Sequence, residues 1–367
     1  MLAELMANII RDRASRKTLK VILGDGYDPT TELTHPLNIL PSVTVTYPLV
    51  LTSTQRRTIW RRYEYIRVKT SNQLPDLLLY YLIRLAEEGI ISTVVTTNYD
   101  CYWSSIKARN ASSGVKIVIN PIGAAGPADD SYYESGTIPP LPGTLLVHTI
   151  HGRLDFIRFN CQYRWPLPEF VTDFYHSDLV RSEPFVTPFQ HWCRPGRDPC
   201  GKTDSYWHDL DWLNDDNRDR YAYEIGTACD SLADSATTAG ILVIGFSGYY
   251  DDKDIHSRYN EEIVPVLERI LDDGKIPVYV VHTKNQWDRM VTNGLSNYLA
   301  GRIRGKPNAH IERLLPSEQV SAWLSRYLEK HHKLIGISPS GWKLRHRCEW
   351  YKSKMFVKRD FFRPGTP

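Results

Sequence analysis

Ser92-Thr93-Val94-Val95-Thr96-Thr97-Asn98-Tyr99-Asp100 is the stretch on which the reading of this chain turns. Its first half is β-branched and largely apolar, the composition of a strand buried on both faces. Its second half sets hydroxyls, an amide, a phenol and a carboxylate at that strand's carboxyl end. A buried strand has no use for such a polar row. In open α/β sheets ligands bind outside the carboxyl ends of the strands, so the row reads as a candidate site. Local sequence leaves a second reading open, a polar loop built on an Asn-based turn.

The flanking segments favour a sheet. Residues 75–89 read as a helix, with Leu77, Leu78, Tyr81, Leu82 and Leu85 at helical spacing and Gly89 as its stop. Helix, short turn and buried strand make half of a βαβ unit, which implies parallel pairing. Upstream, Leu19-Lys20-Val21-Ile22-Leu23 reads as a strand running into Gly24-Asp25-Gly26. Glycine there lets the backbone approach a ligand and turns free N–H groups toward an anion. The full G-x-G-x-x-G fingerprint is missing, because Pro29 follows and no third glycine falls in place.

Downstream, residues 115–120, 144–150, 240–247 and 277–281 read as further strands. The second of these ends in His151-Gly152, and the third carries Gly245-Phe246-Ser247 at its end. Helices are expected over 53–68, 218–238, 260–271, 285–299 and 317–330. Residues 121–143, rich in Gly, Pro, Asp and Tyr, read as a long loop, a kind that is often functional. The alternation predicts an α/β fold: a doubly wound, mostly parallel Rossmann-like sheet with helices on both faces. Residues 153–217, aromatic and prolyl without periodicity, are expected to form an irregular inserted subdomain. The domain reading is an N-terminal helix over 1–19, the α/β domain over 20–330 and a basic, aromatic tail over 331–367.

Composition narrows the function classes. With 367 residues, 42% hydrophobic and 24% charged, the chain has the makeup of a globular protein. A net charge of +3 is too small to argue nucleic-acid binding from the whole-chain balance. No apolar run approaches the roughly 20 residues of a membrane span, and Met1–Lys20 lacks a signal-peptide layout, so a cytoplasmic location is the default expectation. Six cysteines in this length do not form a disulfide framework and read as free thiols of a reducing compartment. Asn110-Ala111-Ser112 is then a chance match to a glycosylation acceptor. The tail interleaves Lys343, Arg345, Arg347, Lys352 and Lys354 with Trp342, Trp350, Tyr351 and Phe356. It fits a solvated extension packed on the domain, a protein interface or, least well, a nucleic-acid contact.

Four strand ends therefore carry chemistry: Gly24-Asp25-Gly26, Thr96-Thr97-Asn98-Tyr99-Asp100, His151-Gly152 and Gly245-Phe246-Ser247, the last followed by Asp251, Asp254 and Ile255. In this order they resemble the sirtuin-like (silent information regulator type) NAD-binding proteins over roughly residues 18–285. They resemble in particular the bacterial anti-phage defence branch, whose members hydrolyse NAD to nicotinamide and ADP-ribose. The resemblance implies roles by position. Asn98 would hold the nicotinamide ribose and position the attacking water, Asp100 would contact the nicotinamide-side pocket, and His151 would be the base near the ribose hydroxyls. Gly24 and Gly26 would cradle the pyrophosphate, with Thr96, Thr97 and Tyr99 lining the floor. Gly245 and Ser247 would meet the adenine-side phosphate and ribose, and Thr283 would contact the adenosine. NAD is then the substrate and no metal is expected. The resemblance further implies a homo-oligomer, or a partner such as a HerA-type hexameric ATPase, that keeps an NAD-depleting effector in check.

The residue types suit that chemistry. Cleaving the nicotinamide–ribose bond builds positive charge on the ribose, as in glycoside cleavage, and a nearby carboxylate or amide dipole stabilises it. Histidine removes a proton from water near neutral pH. Three departures from the family pattern matter. The paired C-x-x-C zinc ribbon of sirtuin deacylases is missing, since Cys161, Cys193 and Cys200 have no such spacing, even with His191 and His208 nearby. The Asn98-to-His151 interval is long. Asp28 stands where the family has a small hydroxyl residue. The alternatives are a non-catalytic NAD or ADP-ribose-binding assembly module, and a sirtuin-type deacylase or ADP-ribosyl transferase. Gly196-Arg197-Asp198-Pro199-Cys200-Gly201-Lys202-Thr203 matches a Walker A pattern, but the preceding His191-Trp192-Cys193-Arg194-Pro195 is no buried strand, which argues against an ATPase.

Overall fold

β-Branched and aliphatic runs at regular intervals build one sheet with every strand parallel. In the computed structural model, which describes residues 1–24, 77–98, 102, 103, 106, 114–119, 143–150, 226–249, 263–316 and 318–337, these runs become seven strands. They are β1 (Thr18–Leu23), β2 (Ile91–Thr96), β3 (Lys116–Ile119), β4 (Thr144–Thr149), β5 (Thr238–Ile244), β6 (Val278–His282) and β7 (Ala309–Arg313). Their spatial order is β3-β4-β2-β1-β5-β6-β7. Every residue of β2, β4 and β6 is buried, as expected of inner strands covered on both faces. This is the doubly wound, Rossmann-like α/β architecture expected from the sequence.

Two apolar layers cover the sheet. On one face α1 (Leu2–Arg11), α2 (Leu77–Glu87) and the C-terminal helix pack against Leu19, Val21, Leu23, Val94 and Leu242. On the other, residues 226–233 and α3 (Ile263–Asp273) pack against Ile22, Val95, Ile241, Val243 and Val280. The period-two alternation of each strand thus feeds both layers. Burying each of these aliphatic side chains contributes roughly 1.5–3 kcal/mol.

After β6 come α4 (Lys284–Thr292), a 3-10 turn at Leu295–Asn297, the short α5 (Leu299–Arg302), β7 and α6 (Val320–Ile335). The single helix expected over 285–299 is broken at Gly294, whose φ of +91° leaves the helical region. The expected helix 317–330 instead occupies Val320–Ile335 and stops where Gly336 turns left-handed at φ +82°, so the first residues assigned to the tail are helical. The N-terminal helix ends at Arg11, and Arg16 takes φ +55° before β1 begins. The helix expected over 218–238 gives way to β5 at Thr238. Strand β7 was not expected. Its sequence, Ala-His-Ile-Glu-Arg, is half-exposed over Ala309–Ile311 and exposed at Glu312 and Arg313, as suits an edge strand with charges on its rim. The 153–217 insertion, the 121–143 loop, the 53–68 helix and the tail beyond Ile337 lie outside the described residues.

Candidate functional site

Parallel strands put all their carboxyl ends on one edge. The way the chain leaves that edge singles out one crevice. The connection from β1 to β2 carries α2 on the first face, whereas the connection from β5 to β6 carries α3 on the opposite face. Since β1 and β5 are neighbours, the chain leaves them in opposite directions, which is the topological switch point where open α/β sheets bind ligands.

At that point two backbones touch. Gly24 extends β1 by one residue, and its N–H donates to the Ile244 carbonyl at 2.9 Å. A Cβ on Gly24 would sit 2.5 Å from the Gly245 oxygen and 2.5 Å from the Phe246 Cα, so only glycine fits. Gly245 extends β5, donates its N–H to Val281 O at 3.2 Å, and holds φ +64°. Phe246 is buried in the second layer, which anchors the turn. Ser247 is half-buried, and its carbonyl accepts the Leu299 N–H at 3.1 Å.

The polar end of β2 joins the same junction. Thr97 N–H donates to Leu23 O at 3.2 Å, continuing the β1–β2 ladder past the strand. Asn98 is 2% exposed, and its Nδ2 donates to the Gly24 carbonyl at 3.3 Å. Its own N–H donates to the Thr96 hydroxyl at 3.2 Å, a local turn of the Asx/ST kind. The Thr96 carbonyl in turn accepts the Ile150 N–H at 3.1 Å, tying in the end of β4. The polar loop and the site are therefore one object: an Asn-containing turn whose amide is aimed at the glycine of the neighbouring strand.

On the β6 side, Thr283 caps α4, its hydroxyl accepting the Gln286 N–H at 3.2 Å. The Gln286 side chain leaves the helix and donates through Nε2 to the Gly245 carbonyl at 2.9 Å. Its Oε1 lies 3.1 Å from His282 Nδ1. Burial pushes the His282 imidazole down to about 4, the hydrogen bond to Gln286 opposing the shift in part. It is a neutral imidazole at physiological pH.

Of the residues expected at the site, Gly24, Thr96, Thr97, Asn98, Gly245 and Ser247 are brought to the carboxyl edge around β1, β2 and β5. Thr283 stands one strand away at the end of β6, where its hydroxyl serves the helix cap. Gly26, Tyr99, Asp100 and His151 lie outside the described residues, as do the Walker-like stretch 196–203 and the cysteines 161, 193 and 200. Sequence reading missed Gln286 and His282. A signal was present, since Thr283-Lys284-Asn285-Gln286 fits the S/T-x-x-E/Q capping pattern.

Chemically the junction offers buried amide and hydroxyl groups and little charge among its described residues, while the N–H groups of Gly24 and Gly245 are committed to Ile244 O and Val281 O. No group of three or more metal-ligating side chains occurs among the described residues, and no described helix is long and apolar enough to cross a membrane. In comparisons with known proteins, no family model and no curated protein matches this chain.

Proposed function

We propose that the protein is an NAD+ glycohydrolase that binds NAD in the switch-point crevice. One observation carries this reading. Three strand ends, Gly24 of β1, Asn98 of β2 and Gly245 of β5, meet within hydrogen-bond or van der Waals distance at the topological switch point, with a buried carboxamide among them. A buried amide dipole at the switch point suits a ribose that gains positive charge, and the place of the pyrophosphate beside Gly24 and Gly245 rests on the resemblance of motifs.

In the proposed reaction the bond between ribose C1′ and the nicotinamide nitrogen breaks, and its electron pair neutralises the pyridinium ring. Water oxygen bonds to C1′, and its proton passes to the base, for which His151 is the candidate. The products are nicotinamide, ADP-ribose and a proton. By the same resemblance of motifs, the activity serves as an NAD-depleting anti-phage effector held in check by self-assembly or by a partner ATPase.

The test follows nicotinamide release from NAD by the full chain, with and without an acyl peptide. Release without peptide, lost in Asn98→Ala and in His151→Ala, supports the proposal. Release only with peptide indicates acyl transfer, and no release in any assembly state refutes hydrolysis. A second reading, a nucleotide-binding module without turnover, is favoured by the use of Asn98 Nδ2 to hold Gly24. It requires ADP-ribose binding by a wild-type chain that releases no nicotinamide.

A further inference from the structure

The turn after β5 is held by a pair of side chains that no step of the proposed reaction uses. Gly245 has the backbone of Gly24 against its carbonyl group. The carbonyl oxygen that lies against Gly24 also accepts from Gln286 Nε2 at 2.9 Å. A carbonyl only accepts, so the Gln286 amide nitrogen must face Gly245 and its oxygen must face His282. His282 Nδ1, 3.1 Å away, must then be the protonated nitrogen. The relay has one direction: His282 donates to Gln286, and Gln286 donates to Gly245.

Two features mark this arrangement as more than helix capping. In a complete capping box the third-position glutamine reaches back to the N–H of the capping residue. Here the Thr283 hydroxyl makes its half of the box with the Gln286 N–H, while the Gln286 side chain is diverted to the crevice turn. The second feature is the cost carried by His282. Its side chain is buried, and Nε2 finds no hydrogen-bond partner among the described residues. Leaving such a nitrogen unsatisfied costs stability that an aliphatic residue at the end of β6 would not incur. Imidazole at this place is accounted for by the one hydrogen bond it does make, which fixes the Gln286 rotamer.

We propose that His282 and Gln286 are positioning residues of the crevice, acting through the Gly245 carbonyl to hold the Gly245–Ser247 turn against Gly24. The inference rests on the nucleotide-crevice reading for its effect on ligand, and on hydrogen bonding alone for its effect on the turn. Gly245 carries the phosphate-side half of the crevice, whereas Asn98 carries the half assigned to the reacting ribose. Loosening the turn therefore weakens binding and leaves the chemical step alone.

The test uses Gln286→Met, His282→Leu, the double variant and His282→Asn, whose amide N–H can replace the Nδ1 donor. Without ligand, amide hydrogen exchange at Gly24, Gly245 and Leu299 should quicken about fivefold to tenfold in Gln286→Met and in His282→Leu, the loss of one hydrogen bond. The double variant should be no faster than Gln286→Met, and His282→Asn should stay near wild type. With NAD, KM should rise about fivefold to tenfold in Gln286→Met while kcat holds, the opposite of Asn98→Ala. Unchanged exchange at Gly245 and Leu299 overturns the relay, as does additivity of the two substitutions. A fall in kcat at constant KM overturns the division of labour. If the wild-type chain neither cleaves NAD nor binds ADP-ribose, the functional reading fails, and the exchange data alone decide on the relay.

Discussion

Replacing Gly24 by alanine adds one methyl group at the point where the two halves of the sheet hand over to each other. The added Cβ would lie 2.5 Å from both the Gly245 oxygen and the Phe246 Cα. That is roughly 1 Å closer than the ~3.5 Å at which non-bonded carbon atoms settle. Neither neighbour is the tip of a flexible side chain, so relief requires the backbones after β1 and β5 to part. Parting them by that distance stretches the 2.9 Å bond from Gly24 N–H to Ile244 O beyond hydrogen-bond range and strains the 3.3 Å contact from Asn98 Nδ2 to Gly24 O. Overpacking a tight site by one carbon costs about 1–3 kcal/mol, and each lost hydrogen bond about 1 kcal/mol more. Gly24→Ala should therefore lose about 2–4 kcal/mol, on the order of 3–5 °C in Tm for a chain of this size. The assay is urea unfolding followed by far-UV circular dichroism, with Gly226→Ala as the reference. Gly226 is helical with nothing within 4 Å of its would-be Cβ, so alanine there should be neutral or mildly stabilising. If Gly24→Ala unfolds at the same denaturant concentration as wild type, the two backbones are not in contact and the crevice has been misplaced.

Two other perturbations probe the frame around the site. Lys20 is buried on β1 with its Nζ donating to Ser231 O, Ser231 Oγ and Thr237 Oγ1, and burial lowers its amine to about 8, with Asp234 opposing. Below that value both folded and unfolded chains hold the proton and the cost of burial is present in full. Between about pH 8 and the ordinary lysine value of 10.5 the unfolded chain binds more protons, so stability rises with pH. The wild type should gain up to about 3 kcal/mol relative to Lys20→Met across that window, measured by denaturant unfolding at each pH, and a flat difference would refute the shift. On the first face of the sheet, the Tyr327 hydroxyl accepts the Ala3 N–H at 2.8 Å, one of the four amides an α-helix leaves unpaired at its start. Tyr327→Phe should cost about 1 kcal/mol and speed exchange of the first-turn amides of α1, whereas unchanged exchange would show that apolar contact alone holds the helix.

What could be read from the sequence follows from how each element meets its neighbours. β2 was legible because it is covered on both faces and its centre is β-branched, whereas the Thr96–Asn98 row that follows is just as buried, its polar groups being hydrogen-bonded to the neighbouring strand ends. β7 was not, because an edge strand with half-exposed residues has neither an apolar run nor a strict alternation, and Ala-His-Ile-Glu-Arg reads as a loop. The break at Gly294 was legible in principle from Asn293-Gly294, and helical spacing on either side outweighed it. Gln286 and His282 belong to another class. Their role depends on β5 lying beside β6, and strand order is a property of the sheet that no window of sequence contains. Glycine at position 24 announced a close approach, but the partner, Gly245, stands far away in the chain.

The same dependence on neighbours bears on what Asn98 has left to offer a ligand. Its amide nitrogen carries two protons, and one is committed to the Gly24 carbonyl. Gly24 cannot move toward solvent without breaking its bond to Ile244, nor toward Gly245 without a clash, so the direction of the Asn98 amide is set by the junction rather than by any ligand. What stays available is the carboxamide oxygen and the second N–H. An oxygen dipole fixed in advance beside a site that develops positive charge needs no reorganisation when the charge appears, and a buried setting strengthens it. On the proposed reading, then, the bond that looks structural is what makes the amide useful. Gly24 orients Asn98, Asn98 closes the β1–β2 side of the crevice, and Gln286 closes the β5–β6 side. A substitution that frees the Asn98 amide from Gly24 should reduce turnover even where the Asn98 side chain itself is intact.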